Sequence, residues 1–332
     1  MAAARLGIEC VIFTPEEGSP ASHVSADTIV ADYKDHRALA EFMRLSDVIS
    51  YEFENIPTQI VKHLSAQKPV FPHVNLLAIA QDRLQEKQFL NEIGIPTTRW
   101  VTVVEPGDVT KAIADWQCDG AILKTARLGY DGKGQFRVDP ATDIAAIMRH
   151  YPDMAFILEE PVEFDCEISV IVARDQFCST VVYGPVHNEH RNHILHRSTV
   201  PAPISPHLAD RAEAMGRSLA TSVDLIGILA LELFVTGDQR LLANEIAPRT
   251  HNSGHWSIDA CVVSQFENYV RAVCGLPVVV PGVSGPAEML NLIGDDVENV
   301  GRFLKDPKAH VHLYGKRSVR AGRKMGHVTW VA

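Results

Sequence analysis

The sequence predicts a mixed α/β protein built from more than one folding unit. Strand and helix patterns alternate up to about Trp100, strands separated by helices of different length follow, and 332 residues exceed what a single core usually serves. Composition is that of a globular chain, 46% hydrophobic and 22% charged, which excludes disorder and collagen-like structure.

Taken in order, "MAAARLG" has the pattern of a helix tail closed by Gly7, and "IECVIFT" that of a strand. So short a helix has no stability alone, so the chain is expected to open inside a folding unit. "DTIVA" reads as a strand, "DHRALAEFMRL" as a helix, "DVISYEF" as a strand, "PTQIVKHL" as a helix opened by Pro57, and "PVFP" as a short strand. Such alternation predicts a parallel sheet with covering helices. "NLLAIAQDRLQEKQFLNEIG" reads as one helix closed by Gly94. Beyond Trp100, "GAILKT" and "GQFRV" read as strands flanking a glycine-rich loop, "DIAAIMRHY" as a helix, and "AFILEEPV" and "CEISVIVAR" as strands. "HLADRAEAMGRSLATSV" reads as a long helix, "GILALELFV" and "RLLANEIA" as a hairpin across "TGDQ", and "SQFENYVRAVCG" as a helix capped by Gly275. "AEMLNLIG", "AHVHLYG" and "GHVTWVA" read as closing strands.

A net charge of −10 argues against a nucleic-acid-coating protein, since no broad basic face could be built without heavy compensation elsewhere. A small anionic ligand needs only a few local cations. Cys10, Cys118, Cys166, Cys178, Cys261 and Cys274 show no CxxC spacing, which predicts free thiols in a reducing cytoplasm. No apolar run approaches the roughly 18–20 residues of a membrane span, and "MAAARLGIECVIF" does not read as a signal peptide. The expectation is a cytoplasmic protein with neither nucleic acid nor membrane as partner.

Chemistry concentrates in a few stretches. "LKTARLGYDGKGQ" is neither a Walker A motif nor GxGxxG. It reads either as a hairpin connection or as a loop whose backbone N–H groups approach phosphate while Lys124 and Lys133 offset its charge. In the later hairpin, a turn at Asp238 and Gln239 sets Glu232 opposite Glu245 on one face. Two carboxylates among Leu, Ile and Phe are costly unless a cation lies between them, and magnesium, with its oxygen ligands and room for phosphate, is the natural candidate. The alternative places one glutamate in solvent and the other at a turn. "APRTHNSGHW" gathers Arg249, His251, Asn252, Ser253 and His255, which suits a small oxyanion. His187, His190, His193 and His196 sit at spacing three without an acidic partner at metal spacing, so zinc is set aside. Lys316, Arg317, Arg320, Arg323 and Lys324 form a cationic run, read as a solvated face or a substrate-phosphate site.

In this order, "YEFENIP", "QDRLQEKQFL", "GYDGKGQ", "ALELFVT", "NEIAPRTHNSGHW" and "GRKMGHVT" resemble the N5-carboxyaminoimidazole ribonucleotide synthetases, an ATP-grasp family of purine biosynthesis. The resemblance covers nearly the whole chain. It implies an α/β (α+β) ATP-grasp fold preceded by a Rossmann-like, pre-ATP-grasp domain that here lacks its first strand. The implied division is a Rossmann-like domain over 1–97, a small lid domain over 98–180 and a large carboxy-terminal domain over 181–332. The implied reaction uses ATP and bicarbonate to carboxylate 5-aminoimidazole ribonucleotide through carboxyphosphate, with magnesium, or manganese in its place, in a homodimer.

Carried over by position, the resemblance assigns Glu232 and Glu245 to the metal, with Asn244 beside them in the nucleotide site. Arg83, Lys124 and the loop Gly129, Tyr130, Asp131, Gly132, Lys133, Gly134 and Gln135 look like triphosphate contacts. Glu159, Glu160, Pro161 and Val162 would line adenine, Glu167 would hold the ribose hydroxyls, and His190 matches a further nucleotide contact. Arg249, His251 and Asn252 look like the bicarbonate pocket, and Glu54, Tyr130, Asp131, Lys316 and Arg323 like the ribonucleotide site. Family members usually begin with a further strand and a "GGGQLG"-like loop near the ribonucleotide, and continue past "GHVT". Two rivals follow: another ATP-grasp carboxylase or ligase, such as a biotin carboxylase or a formate-using glycinamide ribonucleotide transformylase, and a nucleotide-binding protein inactivated by its shortened first domain.

Overall fold

The amino-terminal alternation folds in part as expected. In the computed structural model, whose described residues are 1–128 and 134–332, α1 (Ala2–Arg5) ends where Gly7 adopts φ +70°. β1 (Val11–Thr14) and β2 (Asp27–Val30) pair in parallel. α2 (His36–Leu45) is capped by Asp35, whose carboxylate accepts from the Arg37 and Ala38 N–H groups. With α3 (Thr58–Ser65) and α4 (Val74–Ala80), it buries a core of Leu39, Phe42, Val61, Leu64, Val74 and Leu77. The strands expected at "DVISYEF" and "PVFP" reduce to one parallel bridge, Ile49 to Val70. Pro69 and Pro72 flank that site and remove the donors a longer ladder would need. The single helix expected over "NLLAIAQDRLQEKQFLNEIG" is two, α4 and α5 (Arg83–Glu92). Asp82 breaks it by accepting from Leu84 N at 3.1 Å and Gln85 N at 3.4 Å.

An antiparallel four-stranded sheet follows in the order β3-β6-β4-β5, from β3 (Trp100–Val103), β4 (Ala121–Thr125), β5 (Gln135–Val138) and β6 (Phe156–Glu159). α6 (Pro106–Trp116) and α7 (Ile144–His150) cover it over Val103, Leu123, Phe156 and Leu158.

The remaining strands form an antiparallel sheet of eight: β7 (Cys166–Arg174), β8 (Thr180–Arg191), β9 (Ile194–Val200), β10 (Gly227–Val235), β11 (Leu241–Ala247), β12 (Ala287–Ile293), β13 (Ala309–Leu313) and β14 (Lys324–Val331). Their order is β11-β10-β7-β8-β9-β12-β14-β13, so β11 is an edge. β7 reads as a continuous apolar run because both faces are buried. Ile168, Val170 and Val172 meet α8 (Pro206–Ser222), while Ile171 and Ala173 share a core with Ala260 of α9 (Ser257–Ala260) and Ala272 of α10 (Gln265–Val273). Gly216 lets α8 approach, since a Cβ there would lie 2.9 Å from Val172. β7 pairs with β10 along its whole length, so the two large sheets divide between Glu159 and Cys166, ahead of the boundary at 180 expected from the sequence.

Asp82→Ala should lower the free energy of unfolding by about 1 kcal/mol through loss of the α5 cap, as measured by urea denaturation. An unchanged midpoint would show that the α4–α5 break does not depend on it.

Candidate functional site

Glu232 lies in β10 and Glu245 in β11, and the register between these strands decides how the carboxylates are presented. Leu233 pairs with Ala243 and Leu231 with Ile246, so Glu232 faces two residues, Asn244 and Glu245. The direct Glu232–Glu245 pairing expected from the sequence is replaced by a β-bulge, which bends the strand and re-aims its side chains.

Glu232 is largely buried. Burial alone would push its carboxyl up, but His251, with Nε2 3.1 Å from Oε1, outweighs burial and holds it below the usual range. Glu245 is exposed, yet the protein around it desolvates the group. That desolvation, and then the charge of Glu232, push its carboxyl up to about 7. Glu86 is pushed up to about 8, by burial and then by Glu245. Two carboxylates and a carboxamide at this bulge suit a hard divalent cation, which would relieve the repulsion that raises Glu245.

Cations face these carboxylates. Glu159, the last residue of β6, is buried between two lysines, with Lys124 Nζ 2.8 Å from Oε2 and Lys87 Nζ 3.7 Å from Oε1. Burial pushes its carboxyl up, but the lysines together outweigh it and hold it below the usual range. Lys87 is 1% exposed and donates to the carbonyl oxygens of Asn244 at 2.8 Å and Ala243 at 3.3 Å. Arg83 Nη1 donates to Thr125 O at 3.1 Å. The charges of Glu232, Arg83, Glu54 and Lys124 all act on Glu245, so these groups are its electrostatic neighbours.

The "APRTHNSGHW" segment closes one side. His251 Nδ1 meets Ser253 Oγ at 2.8 Å, Ser253 Oγ meets Ser169 Oγ at 2.7 Å, and Asn188 Nδ2 donates to Ser169 Oγ at 3.0 Å. Gln265 accepts from His251 N–H at 3.0 Å and donates to its carbonyl at 2.7 Å. This buried chain fixes the ring with Nε2 toward Glu232. Arg249 Nε lies 3.0 Å from Glu54 Oε1. Asn252 exchanges carboxamide hydrogen bonds with Asn291 at 3.0 and 2.8 Å, so its side chain is committed there, whereas Arg249 and His251 border the carboxylates.

Behind it, His255 Nδ1 meets Tyr314 OH at 3.0 Å, and Tyr314 OH meets His327 Nδ1 at 2.8 Å. Asp259, His312 and His327 bring potential ligand atoms within 4.8 Å of one another. The two imidazoles stack face to face, with centroids 4.5 Å apart and planes 13° from parallel, so their in-plane lone pairs run side by side instead of converging on an ion.

Among the other expected residues, His190 lies near enough to Glu232 for each charge to act on the other. His190 Nδ1 is 3.1 Å from Glu167 Oε2; burial would lower this histidine, but Glu167 outweighs it and raises it. Glu160 pairs with Arg99 and, with Pro161 and Val162, lines a cleft of about 680 Å³ bordered by Thr98, Asp165 and Asp238. Lys316 Nζ donates to Lys324 O at 2.7 Å, and Arg323 Nη1 to Ser318 Oγ at 2.7 Å. Gly134, at φ +69°, lies where a Cβ would come 2.6 Å from Thr125 Oγ1, and Gln135 pairs with Lys124. Gly129, Tyr130, Asp131, Gly132 and Lys133 fall outside the described residues. Sequence reading missed Glu86, Lys87, Ser169 and Asn188. Ser169, a lone hydroxyl in the apolar run of β7, was a signal; "QEKQ" within a helix was not.

Comparison with known proteins matches three family models in series. Residues 1–81 match a ribonucleotide synthetase preATP-grasp domain, 88–266 an ATP-grasp domain, and 287–332 a phosphoribosylaminoimidazole carboxylase C-terminal domain. N5-carboxyaminoimidazole ribonucleotide synthase of Brucella melitensis is 47% identical, over 99% of this chain and 91% of its own. The structure of N5-carboxyaminoimidazole synthetase from Staphylococcus aureus with ADP superposes with a TM-score of 0.93 at 34% identity, covering 100% of this chain and 88% of that one. The enzyme of Aspergillus clavatus in complex with ADP and 5-aminoimidazole ribonucleotide gives a TM-score of 0.91 at 28% identity, covering 100% and 89%.

Glu159→Leu leaves Lys87 buried without its carboxylate, and should cost about 3–5 kcal/mol of stability by denaturant titration. A loss below about 1 kcal/mol would show that Lys87 is held by the carbonyl oxygens alone.

Proposed function

Because this chain belongs to the N5-carboxyaminoimidazole ribonucleotide synthase family of ATP-grasp enzymes, we propose that it carboxylates the exocyclic amine of 5-aminoimidazole ribonucleotide in purine biosynthesis, using ATP and bicarbonate. The supporting observation is the bulge that sets Glu232, Asn244 and Glu245 against Arg83 and Lys124, with Arg249 and His251 alongside.

Bicarbonate is a poor electrophile. Attack of its oxygen on the γ-phosphorus of ATP releases ADP and forms carboxyphosphate; the amine then either displaces phosphate from that carbonyl carbon or adds to the carbon dioxide formed when carboxyphosphate has split into carbon dioxide and phosphate, and in both routes the nitrogen gives up a proton. Glu232 and Glu245 would hold Mg²⁺, or Mn²⁺ in its place. When bound, the ion offsets charge on the triphosphate. Arg83 and Lys124 would offset the same charge. Glu232 keeps His251 oriented at the edge of the bicarbonate pocket, where Arg249 presents guanidinium N–H groups to the bicarbonate oxygens. Glu160, Pro161 and Val162 flank adenine, and Glu167, with His190, takes the ribose hydroxyls. Asn252, bonded to Asn291, supports the bicarbonate pocket. The family resemblance assigns residues 129–135, Lys133 among them, to the phosphates, and Tyr130, Asp131, Glu54, Lys316 and Arg323 to the ribonucleotide.

Phosphate release from ATP should require both 5-aminoimidazole ribonucleotide and bicarbonate. Glu245→Gln should lower kcat/KM by about 10- to 100-fold or more through loss of a metal ligand. Release indifferent to the ribonucleotide, or requiring a different amine acceptor, would contradict the substrate assignment; ATP binding without turnover on any acceptor would favour a nucleotide-binding protein.

The same reading takes the chain to act as a homodimer in the cytoplasm. Its six cysteines are unpaired, which fits a reducing compartment. Among the described residues, no helix is long and apolar enough to cross a membrane. Sedimentation equilibrium should return twice the chain mass; a single-chain mass at micromolar concentration would refute the dimer.

A further inference from the structure

β11 is the edge strand of the eight-stranded sheet and also carries the bulge, so its outward backbone groups lack a neighbouring strand. Buried backbone groups need partners, and here they come from helix α5 and the segment that follows it. Ala243 N–H donates to Pro96 O at 2.7 Å. Lys87 Nζ donates to Ala243 O and Asn244 O, and the Glu86 carboxylate accepts from Ile246 N–H at 2.6 Å. Two consecutive side chains of one helix therefore grip β11 immediately before and immediately after Glu245. Both are nearly inaccessible, Glu86 at 3% and Lys87 at 1%. Lys87 also faces Glu159, which holds Lys124, so the grip is tied to the four-stranded sheet.

We propose that Glu86 and Lys87 are positioning residues that set the backbone of the β11 bulge, and through it the aim of Asn244 and Glu245 into the nucleotide cleft. Their role is reach, not charge: Glu86 supplies an acceptor at a fixed distance from α5, and Lys87 a donor shared by two carbonyl oxygens. A functional-site helix is thereby coupled to metal-binding side chains that it does not touch with its own backbone. The proposal rests on the reading of this cleft as a metal–nucleotide site.

Two substitutions at one position separate reach from charge. Glu86→Gln keeps the length and the acceptor and removes the ionisable carboxyl; Glu86→Asp keeps the ionisable carboxyl and withdraws the acceptor by one methylene. Mn²⁺ binding in the presence of ADP, followed by electron paramagnetic resonance, reads the site without turnover. Glu86→Gln should bind Mn²⁺ within about threefold of the unmodified protein, while Glu86→Asp and Lys87→Met should weaken it about tenfold or more. In the steady state the KM for the metal–ATP complex should rise in the latter two, with the KM for the ribonucleotide within about twofold. Should the aspartate variant not fold, Lys87→Met, close in length to lysine but without its N–H donors, still tests whether the hold on β11 is needed, and Glu86→Gln alone tests the charge.

Retained binding in Glu86→Asp with loss in Glu86→Gln would overturn the proposal in favour of a charge role, and unchanged binding in Glu86→Asp and Lys87→Met would overturn it outright. An unmodified protein that binds Mn²⁺ with ADP but does not carboxylate 5-aminoimidazole ribonucleotide would refute the proposed substrate, and the resonance comparison would still decide the role of Glu86 and Lys87.

Discussion

The constraint around which this molecule is arranged is repulsion between Glu232 and Glu245, held close together on adjacent strands whose other residues are mostly apolar. In such surroundings two carboxylates do not both ionise freely, and the protein treats them differently. Glu232 receives an internal partner in His251, which a buried chain of serines and Asn188 keeps in orientation. Glu245 stays exposed and is raised to about 7 by its surroundings and by Glu232. One carboxylate is thus compensated from within and the other is not, an asymmetry that suits the proposed metal site.

The same constraint explains how the parts of the chain meet. Lys124 belongs to β4 and Glu159 to β6 of the small sheet, Lys87 to α5, and the carbonyl oxygens it binds to β11 of the large sheet. A lysine at 1% exposure is costly to bury, and here it is compensated by one carboxylate and two carbonyl oxygens drawn from both sheets. The backbone also contributes, since Thr97 bridges to Ala243 between α5 and β3. Cations that face the carboxylates are therefore placed by the joint between units.

Much of this was legible in the sequence. Period-two patterns in "GILALELFV" and "RLLANEIA", the punctuation by Gly and Pro, and the concentration of Arg249, His251 and Asn252 after Glu245 locate the hairpin and the polar segment. What was not legible has physical causes. The bulge shifts the register by one residue, which no alternation of apolar residues encodes when Asn244 and Glu245 are both polar. Asp82 looked like one more polar residue of a continuous helix, yet its side chain caps a second one. Glu86 and Lys87 carry no local sign of burial, because burial of a charged pair depends on an edge strand far along the chain. Asn252 follows Arg249 and His251 in sequence, but its side-chain partner, Asn291, lies on β12 and no local spacing reveals it.

A crystal structure with Mn²⁺ and a non-hydrolysable ATP analogue, with the ion located by its anomalous scattering, tests the central claim most directly. The account predicts a manganese peak within about 2.0–2.2 Å of carboxylate oxygens of both Glu232 and Glu245 and of the phosphate oxygens. A peak held by other residues, such as Asp259 and His312, with Glu232 and Glu245 uncoordinated, would contradict it.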